Sequence, residues 1–208
     1  MADYKKPDYW QIKARSEGYP ARSVYKLKEM DEKFGLLKPR RTDGFRVLDV
    51  GAAPGSWSLY ILRKIPAVSL VSADLSPLSR QYDSGLFASD GFCFIQGDIT
   101  DSAVRDSILA HGPYNLIVSD AAPATTGSRF VDTSRSLELA EAVLAYAESA
   151  LICDSGNLLF KLFQGGDTSG LLKRMRSLFK TAKTYKPAAC RSDSFELYCL
   201  GLGLRESE

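Results

Sequence analysis

Val47-Leu48-Asp49-Val50-Gly51-Ala52-Ala53-Pro54-Gly55-Ser56-Trp57 is the stretch that decides the fold. An apolar run carrying a carboxylate passes through a glycine-bearing turn and opens a helical pattern. That strand–loop–helix unit brings a ligand close to the main chain in Rossmann-like folds. Gly51 and Gly55 lack a Cβ, so they can take positive φ and let a ligand lie against the backbone. Pro54 stiffens the turn, and Ser56 reads as the N-cap of a helix starting near Trp57. The loop is not G-x-G-x-x-G, and no Lys-Ser/Thr pair follows it, so a pyrophosphate is a poor match. A nucleoside whose tail carries an amino acid suits it better.

Outward from this loop, strands and helices alternate. Residues 45–50 read as the first strand and 57–64 as its helix. Further strands are expected at 67–73, 92–96, 114–119 and 157–163, with two last ones near 183–186 and 195–201. Helices are expected at 21–38, where Pro39 would end the pattern, and at 133–153 and 168–180. Repeated strand–helix units imply a mostly parallel seven-stranded sheet with helices on both faces, in one α/β domain. Residues 1–20 read as a basic and aromatic N-terminal arm, with Tyr4, Tyr9, Trp10 and Tyr19 among Lys5, Lys6, Lys13 and Arg15. Residues 21–208 read as the domain proper. The arm suits RNA contact, and packing on the domain is the competing reading.

The 208 residues carry a formal net charge of +2, which conceals a segregation. Residues 1–46 are net +5, 47–156 net −7 and 157–208 net +4. An acidic middle between basic ends suits a neutral or cationic ligand held centrally and a polyanion gripped by the ends. Lys5, Lys6, Lys13, Arg15 and Arg22, with Lys173, Arg174, Arg176 and Lys180, are candidate phosphate contacts. For the later group the exposed face of an amphipathic helix is the competing reading. Cys93, Cys153, Cys190 and Cys199 have no metal-ligand spacing, and His111 is the only histidine. A metal site and a histidine-based triad are therefore not expected. The free thiols suit a reducing cytoplasm. No signal peptide or membrane span is expected, and a monomer is.

Carboxylates recur at successive strand ends: Asp49, Asp74, Asp98 and Asp120, with Lys161 inside the fifth strand. Ligands of open parallel sheets bind outside those ends. Asp74 lies about 20 residues beyond the loop, the spacing at which an acid accepts ribose hydroxyls. Asp98 is placed to accept from an adenine amino group.

Five segments together, Asp49–Trp57, Gln96-Gly97-Asp98, Ser119-Asp120-Ala121-Ala122-Pro123, Lys161-Leu162-Phe163-Gln164-Gly165 and Glu196-Leu197-Tyr198, resemble the FtsJ/RrmJ family. The likeness extends upstream to Tyr19–Leu27. These are S-adenosylmethionine-dependent RNA 2′-O-ribose methyltransferases, so the resemblance implies a single class I methyltransferase domain. It also implies a Lys26-Asp120-Lys161-Glu196 catalytic tetrad. Cofactor contacts would fall on Gly55, Trp57, Asp74, Asp98 and Asp120, and Gly51 joins them on the physical grounds above. The implied substrate is a uridine in the A-loop of 23S rRNA, with a tRNA anticodon loop as the alternative. A non-catalytic RNA-binding module on the same scaffold is a reading of another class, and the intact tetrad argues against it. Base methylation is disfavoured because no thiol falls in a strand-end loop. Two departures from the family pattern are Ser56, where a second glycine is usual, and the small Ala121 and Ala124 around Ala122-Pro123. The latter bears on which RNA is accepted.

A ribose hydroxyl is a weak nucleophile at neutral pH, so transfer needs a base or a cation that stabilises alkoxide character. Lys161 is the candidate, although a free lysine is protonated at neutral pH. Burial and the charge of Lys26 favour its neutral form, while Asp120 and Glu196 favour the charged one. Both roles, base and charged orienter, stay open at this point.

Overall fold

Seven strands, β1 (Arg46–Val50), β2 (Ser69–Asp74), β3 (Phe92–Gln96), β4 (Leu116–Ser119), β5 (Asn157–Phe163), β6 (Phe179–Tyr185) and β7 (Glu196–Leu204), form one sheet. Their order is β3-β2-β1-β4-β5-β7-β6. The first five run parallel, and β7 pairs antiparallel with both β5 and β6. The protein is described by a computed structural model over residues 8–38, 44–152, 155–165, 168–191 and 194–206. Tyr4, Lys5, Lys6, Pro39 and Cys153, which carried expectations above, lie outside these residues.

Helices α1 (Tyr9–Ser16), α2 (Val24–Phe34) and α3 (Ser56–Lys64) share one core with Val47, Leu70 and Leu200. Helices α4 (Ser102–Ala110), α5 (Arg129–Ala150) and α6 (Ser169–Leu178) share a second with Leu48, Val71 and Leu158. Successive side chains of a strand point to opposite faces. Val47 and Leu48 therefore enter different cores, which is why the central strands read as unbroken apolar runs.

Several element ends differ from the sequence reading. Gly55, at φ +107°, is the N-cap of α3, and Ser56 is its first helical residue. The Ser56 hydroxyl instead accepts from the Ala21 N–H at 2.8 Å and donates to the Ala21 carbonyl at 3.2 Å. It ties the loop to the segment before α2. Gly51 and Gly55 take positive φ as expected, and each also admits a neighbouring segment. A Cβ on Gly51 would lie 2.5 Å from Ala121, and one on Gly55 would lie 2.8 Å from Phe87. The close approach is made by protein atoms.

Helix α2 stops at Gly35, which takes φ +67° and donates its N–H to the Asp31 carbonyl, ahead of Pro39. Two helices were not foreseen. In α1, Asp8 Oδ1 accepts from the Gln11 N–H at 2.9 Å, and Ala14 is buried while Trp10 packs on Tyr25. From Asp8 onward the arm is thus folded against the domain. Helix α4 fully buries only Ile108, so its sequence carries little periodicity. Strand β6 starts at Phe179 instead of near Lys183, because an edge strand with mostly exposed side chains shows no alternation to read.

Candidate active site

The carboxyl ends of β1, β2, β3 and β4 surround a cavity of about 610 Å³. Gly51, Asp74, Asp98, Asp120 and Ala121 line it, with apolar walls from Val50, Ala73, Ile99 and Leu139. Asp74 anchors the β1–α3 loop: its Oδ2 accepts from the Ala53 N–H at 2.8 Å and its Oδ1 from the Ser76 N–H at 2.8 Å. Each carboxylate oxygen keeps further acceptor capacity for a ligand. Asp98 Oδ1 accepts from the N–H and hydroxyl of Thr100 at 2.9 and 2.7 Å, and this holds Asp98 below the ordinary carboxylate range.

Beneath this cavity, Asp49 is fully buried. Its Oδ2 accepts from the Ser58 hydroxyl at 2.6 Å, while Oδ1 has no partner among the described residues. Burial pushes Asp49 up to about 7, with Asp120 and Asp74 adding to the rise against the pull of Ser58.

Behind Asp120 the strands assemble a second constellation. Asp120 follows β4, and Lys161 lies on the adjacent β5. Lys161 Nζ donates to the Asp120 carbonyl at 2.5 Å and sits 3.1 Å from Asp120 Oδ1. Tyr198 faces Lys161 across the β5–β7 pair and donates its hydroxyl to the same Oδ1 at 2.6 Å. Glu196, two residues earlier on the same face of β7, accepts from Lys26 Nζ at 2.7 Å. Lys26 Nζ also lies 5.8 Å from the centre of the Tyr198 ring. Burial alone would lift Asp120, but Lys161, Lys26 and the Tyr198 hydroxyl hold it below its ordinary value. Burial alone would lower Lys26, but Asp120 and Glu196 keep it above its own. The network is self-neutralised, which is how four ionisable groups tolerate so little water.

Lys26 and Glu196 open on a separate cleft of about 450 Å³, lined also by Arg22, Arg191, Phe163 and Phe195. The two phenylalanine rings meet edge-on at 4.7 Å, and the Arg129 guanidinium lies 5.6 Å from the Phe195 ring centre. The carboxylate-rimmed cavity reaches Asp120, the cleft with cations and aromatic rings reaches Lys26 and Glu196, and the paired charges of these residues and Lys161 link the two.

Comparison with known proteins decides what this pair of cavities belongs to. Residues 19–204 match the family model described as FtsJ-like methyltransferase. The chain belongs to the FtsJ-like methyltransferase family. It is an S-adenosylmethionine-dependent RNA ribose 2′-O-methyltransferase. Ribosomal RNA large subunit methyltransferase E of Treponema denticola is 48% identical over 204 residues, covering 97% of each chain. The enzyme of that name from Nitratidesulfovibrio vulgaris is 41% identical over 201 residues, covering 95% of this chain and 94% of its own. Among solved structures, a Plasmodium falciparum protein described as a ribosomal RNA methyltransferase superposes with a TM-score of 0.74 at 25% identity. That match covers 91% of this chain and 100% of the other. The fibrillarin/Nop5p complex, with a TM-score of 0.58 at 16% identity over 87% of this chain and 83% of the other, shares the fold.

The donor set fits the family's cofactor. Asp74 and Asp98 are ionisable acceptors at the cavity rim, and apolar side chains supply a wall for a purine. Of the residues expected at the cofactor, Gly51, Asp74, Asp98 and Asp120 line the cavity, and Gly55 and Trp57 do not. Trp57 is buried under the loop, its indole N–H donating to the Ser23 carbonyl at 2.9 Å and its ring tilted against Tyr198. It fixes the loop to the segment that leads into α2. The tetrad residues Lys26, Asp120, Lys161 and Glu196 are brought together as two linked ion pairs.

Two neighbours of the tetrad escaped the sequence reading. Tyr198 was within a quoted motif without a role, though its period-2 relation to Glu196 puts both on one face. Cys190 was placed away from any functional loop, yet it precedes β7, and because β7 runs antiparallel that loop lies on the active-site edge. The charges of Lys26, Glu196 and Asp120 all bear on it. Burial pushes the Cys190 thiol up, Lys26 opposes this and the two carboxylates reinforce it. A thiol held protonated is a poor nucleophile.

Proposed function

We propose that this methyltransferase acts on large-subunit ribosomal RNA, at the 2′-hydroxyl of a uridine in the 23S A-loop, as a cytoplasmic monomer. The single observation that carries the reading is the position of the tetrad, wedged between a carboxylate-rimmed cavity and a basic, aromatic cleft. The relatives named for large-subunit rRNA support the choice of RNA.

Bound S-adenosylmethionine would supply the methyl carbon: as the ribose oxygen bonds to it the carbon–sulfur bond breaks, S-adenosylhomocysteine leaves and the hydroxyl proton passes to solvent. Asp74 would accept from its ribose hydroxyls and Asp98 from its adenine amino group, and Gly51 and Asp120 would border it, while Gly55 and Trp57 shape the loop. The RNA ribose enters from the cleft. An ammonium has three N–H donors; Lys161 donates one to the Asp120 carbonyl, pairs with its carboxylate, and would turn a remaining N–H to the ribose oxygen as alkoxide character develops. Lys161 is thus the orienting and stabilising cation, Asp120 fixes it, and the Lys26–Glu196 pair sets the face on which the ribose rests. Positioning supplies much of the acceleration, because in-line displacement tolerates little misalignment. Phe195 offers a base a stacking surface in the cleft. Residues 1–20 serve as an RNA-contacting arm on the 21–208 domain.

Incubation with labelled cofactor and large subunits, free rRNA or tRNA from a methylation-deficient strain tests this directly. Label on the A-loop uridine of rRNA is expected. Label confined to a tRNA anticodon loop would transfer the chemistry to the alternative substrate.

A further inference from the structure

An internal anion pairs with arginines that line the cleft. Asp8 divides its carboxylate between two tasks: Oδ1 caps α1 through the Gln11 N–H, and Oδ2 pairs with the Arg22 guanidinium. The same Oδ2 lies 4.0 Å from Arg191 Nε. Arg22 and Arg191 both line the cleft beside Lys26 and Glu196. The Arg22 side chain is only 15% exposed, and its other terminal nitrogen donates to the Ala189 carbonyl at 2.6 Å. Burial and the neighbouring charge of Arg191 both press Arg22 toward losing its proton, so the pair is stabilised by an anion between them.

We propose that Arg22 and Arg191 form a phosphate fork of the cleft, that Asp8 fills it in the free protein, and that an RNA backbone phosphate displaces Asp8 on binding. The proposal rests on the reading that this cleft receives RNA. A carboxylate and a phosphodiester present similar paired oxygens to a guanidinium. Asp8 is a weak incumbent, since its side chain is 36% exposed and it is the N-cap of a short helix. An RNA phosphate brings the same charge together with counterion release along the strand. The fork lies in the cleft with Lys26 and Glu196 of the tetrad, so a phosphate there fixes the register of the ribose presented to Lys161. Asp8 then acts as a competitive placeholder that weakens binding of RNA lacking further contacts.

The test is Asp8→Asn, which removes the charge while keeping an N-cap residue of equal quality. A fluorescently labelled single-stranded RNA of mixed sequence, about 20 nucleotides long, is titrated by anisotropy between about 50 and 200 mM salt. Asp8→Asn is expected to tighten RNA binding roughly threefold to tenfold without altering the dissociation constant for S-adenosylmethionine. Adding Arg22→Gln should abolish that gain and reduce the salt slope by about one. If Asp8→Asn unfolds at the assay temperature, Asp8→Ser, also a capping residue, takes its place. Unchanged or weaker RNA binding by a folded Asp8 variant would overturn the proposal, as would a gain that survives Arg22→Gln. Failure of the wild-type protein to bind this RNA at any salt would overturn the RNA reading of the cleft and the fork with it. Normal wild-type binding without the gain removes the fork alone.

Discussion

The floor beneath the cofactor cavity and the tetrad beside it treat the same residue type in opposite ways. On the cofactor side, Asp49 has hydroxyl neighbours and repelling carboxylates, and burial pushes it up to about 7. Asp120 lines that cavity too and is partly exposed, but it turns towards Lys161 and Lys26 of the tetrad, which with the Tyr198 hydroxyl hold it below its ordinary value. Desolvation acts on both, and the nearest cation decides the outcome. The first side holds a ligand with acceptors on a dry floor; the second keeps charges poised where a reaction generates charge.

The strongest way to break this contrast is Lys161→Ala. Loss of the cation should lower kcat by about 10²- to 10³-fold, while equilibrium binding of S-adenosylmethionine changes by no more than a few-fold. Wild-type turnover with intact cofactor binding would end the assignment of chemistry to the RNA side.

Asp49→Asn examines the other side through pH. Asp49 has a folded-state value of about 7 against 3.8 ordinarily, so between them the folded protein binds more protons than the unfolded chain. Wild-type stability conferred at low pH is therefore lost as pH rises from near 4 to beyond 7. Asparagine removes that loss, so denaturant unfolding should find Asp49→Asn more stable by a few kcal/mol at pH 8. The advantage should fade towards pH 4, and a pH-independent difference would contradict a neutral buried acid.

Asp74→Ala should raise the dissociation constant for S-adenosylmethionine by about 10- to 100-fold, read by calorimetry, and leave RNA affinity unaltered. Tyr198→Phe is the mildest probe. Removing one hydrogen bond to Asp120 should lower kcat about tenfold with the KM for cofactor preserved. An equal effect on that KM would place Tyr198 with the cofactor side instead.

The cofactor side was legible because it is local. Asp49, Gly51, Asp74, Asp98 and Asp120 fall at the ends of consecutive strands, so reading the strands also located the cavity. The RNA side was legible only by family resemblance. Lys26 and Glu196 are 170 residues apart, and no local pattern announces their contact. Misread positions mostly share a cause too. Ser56 and Cys190 follow from where a neighbouring segment lands, Gly35 is a local cap, and α1 is held by Trp10 and Ala14 docking on α2 and its surroundings more than by its own periodicity.

By itself the sequence determined a parallel α/β sheet, a ligand loop after β1 and a row of carboxylates, because apolar periodicity and strand-end chemistry are short-range properties. Only the tertiary structure decided that β7 turns antiparallel beside β5. That reversal carries Glu196, Tyr198 and the Cys190 loop to the edge where the parallel strands end. It also decided that Asp120 is ionised, Asp49 raised and Arg22 paired with Asp8. Those states depend on which charges share a desolvated space, and strand pairing and helix docking set that sharing.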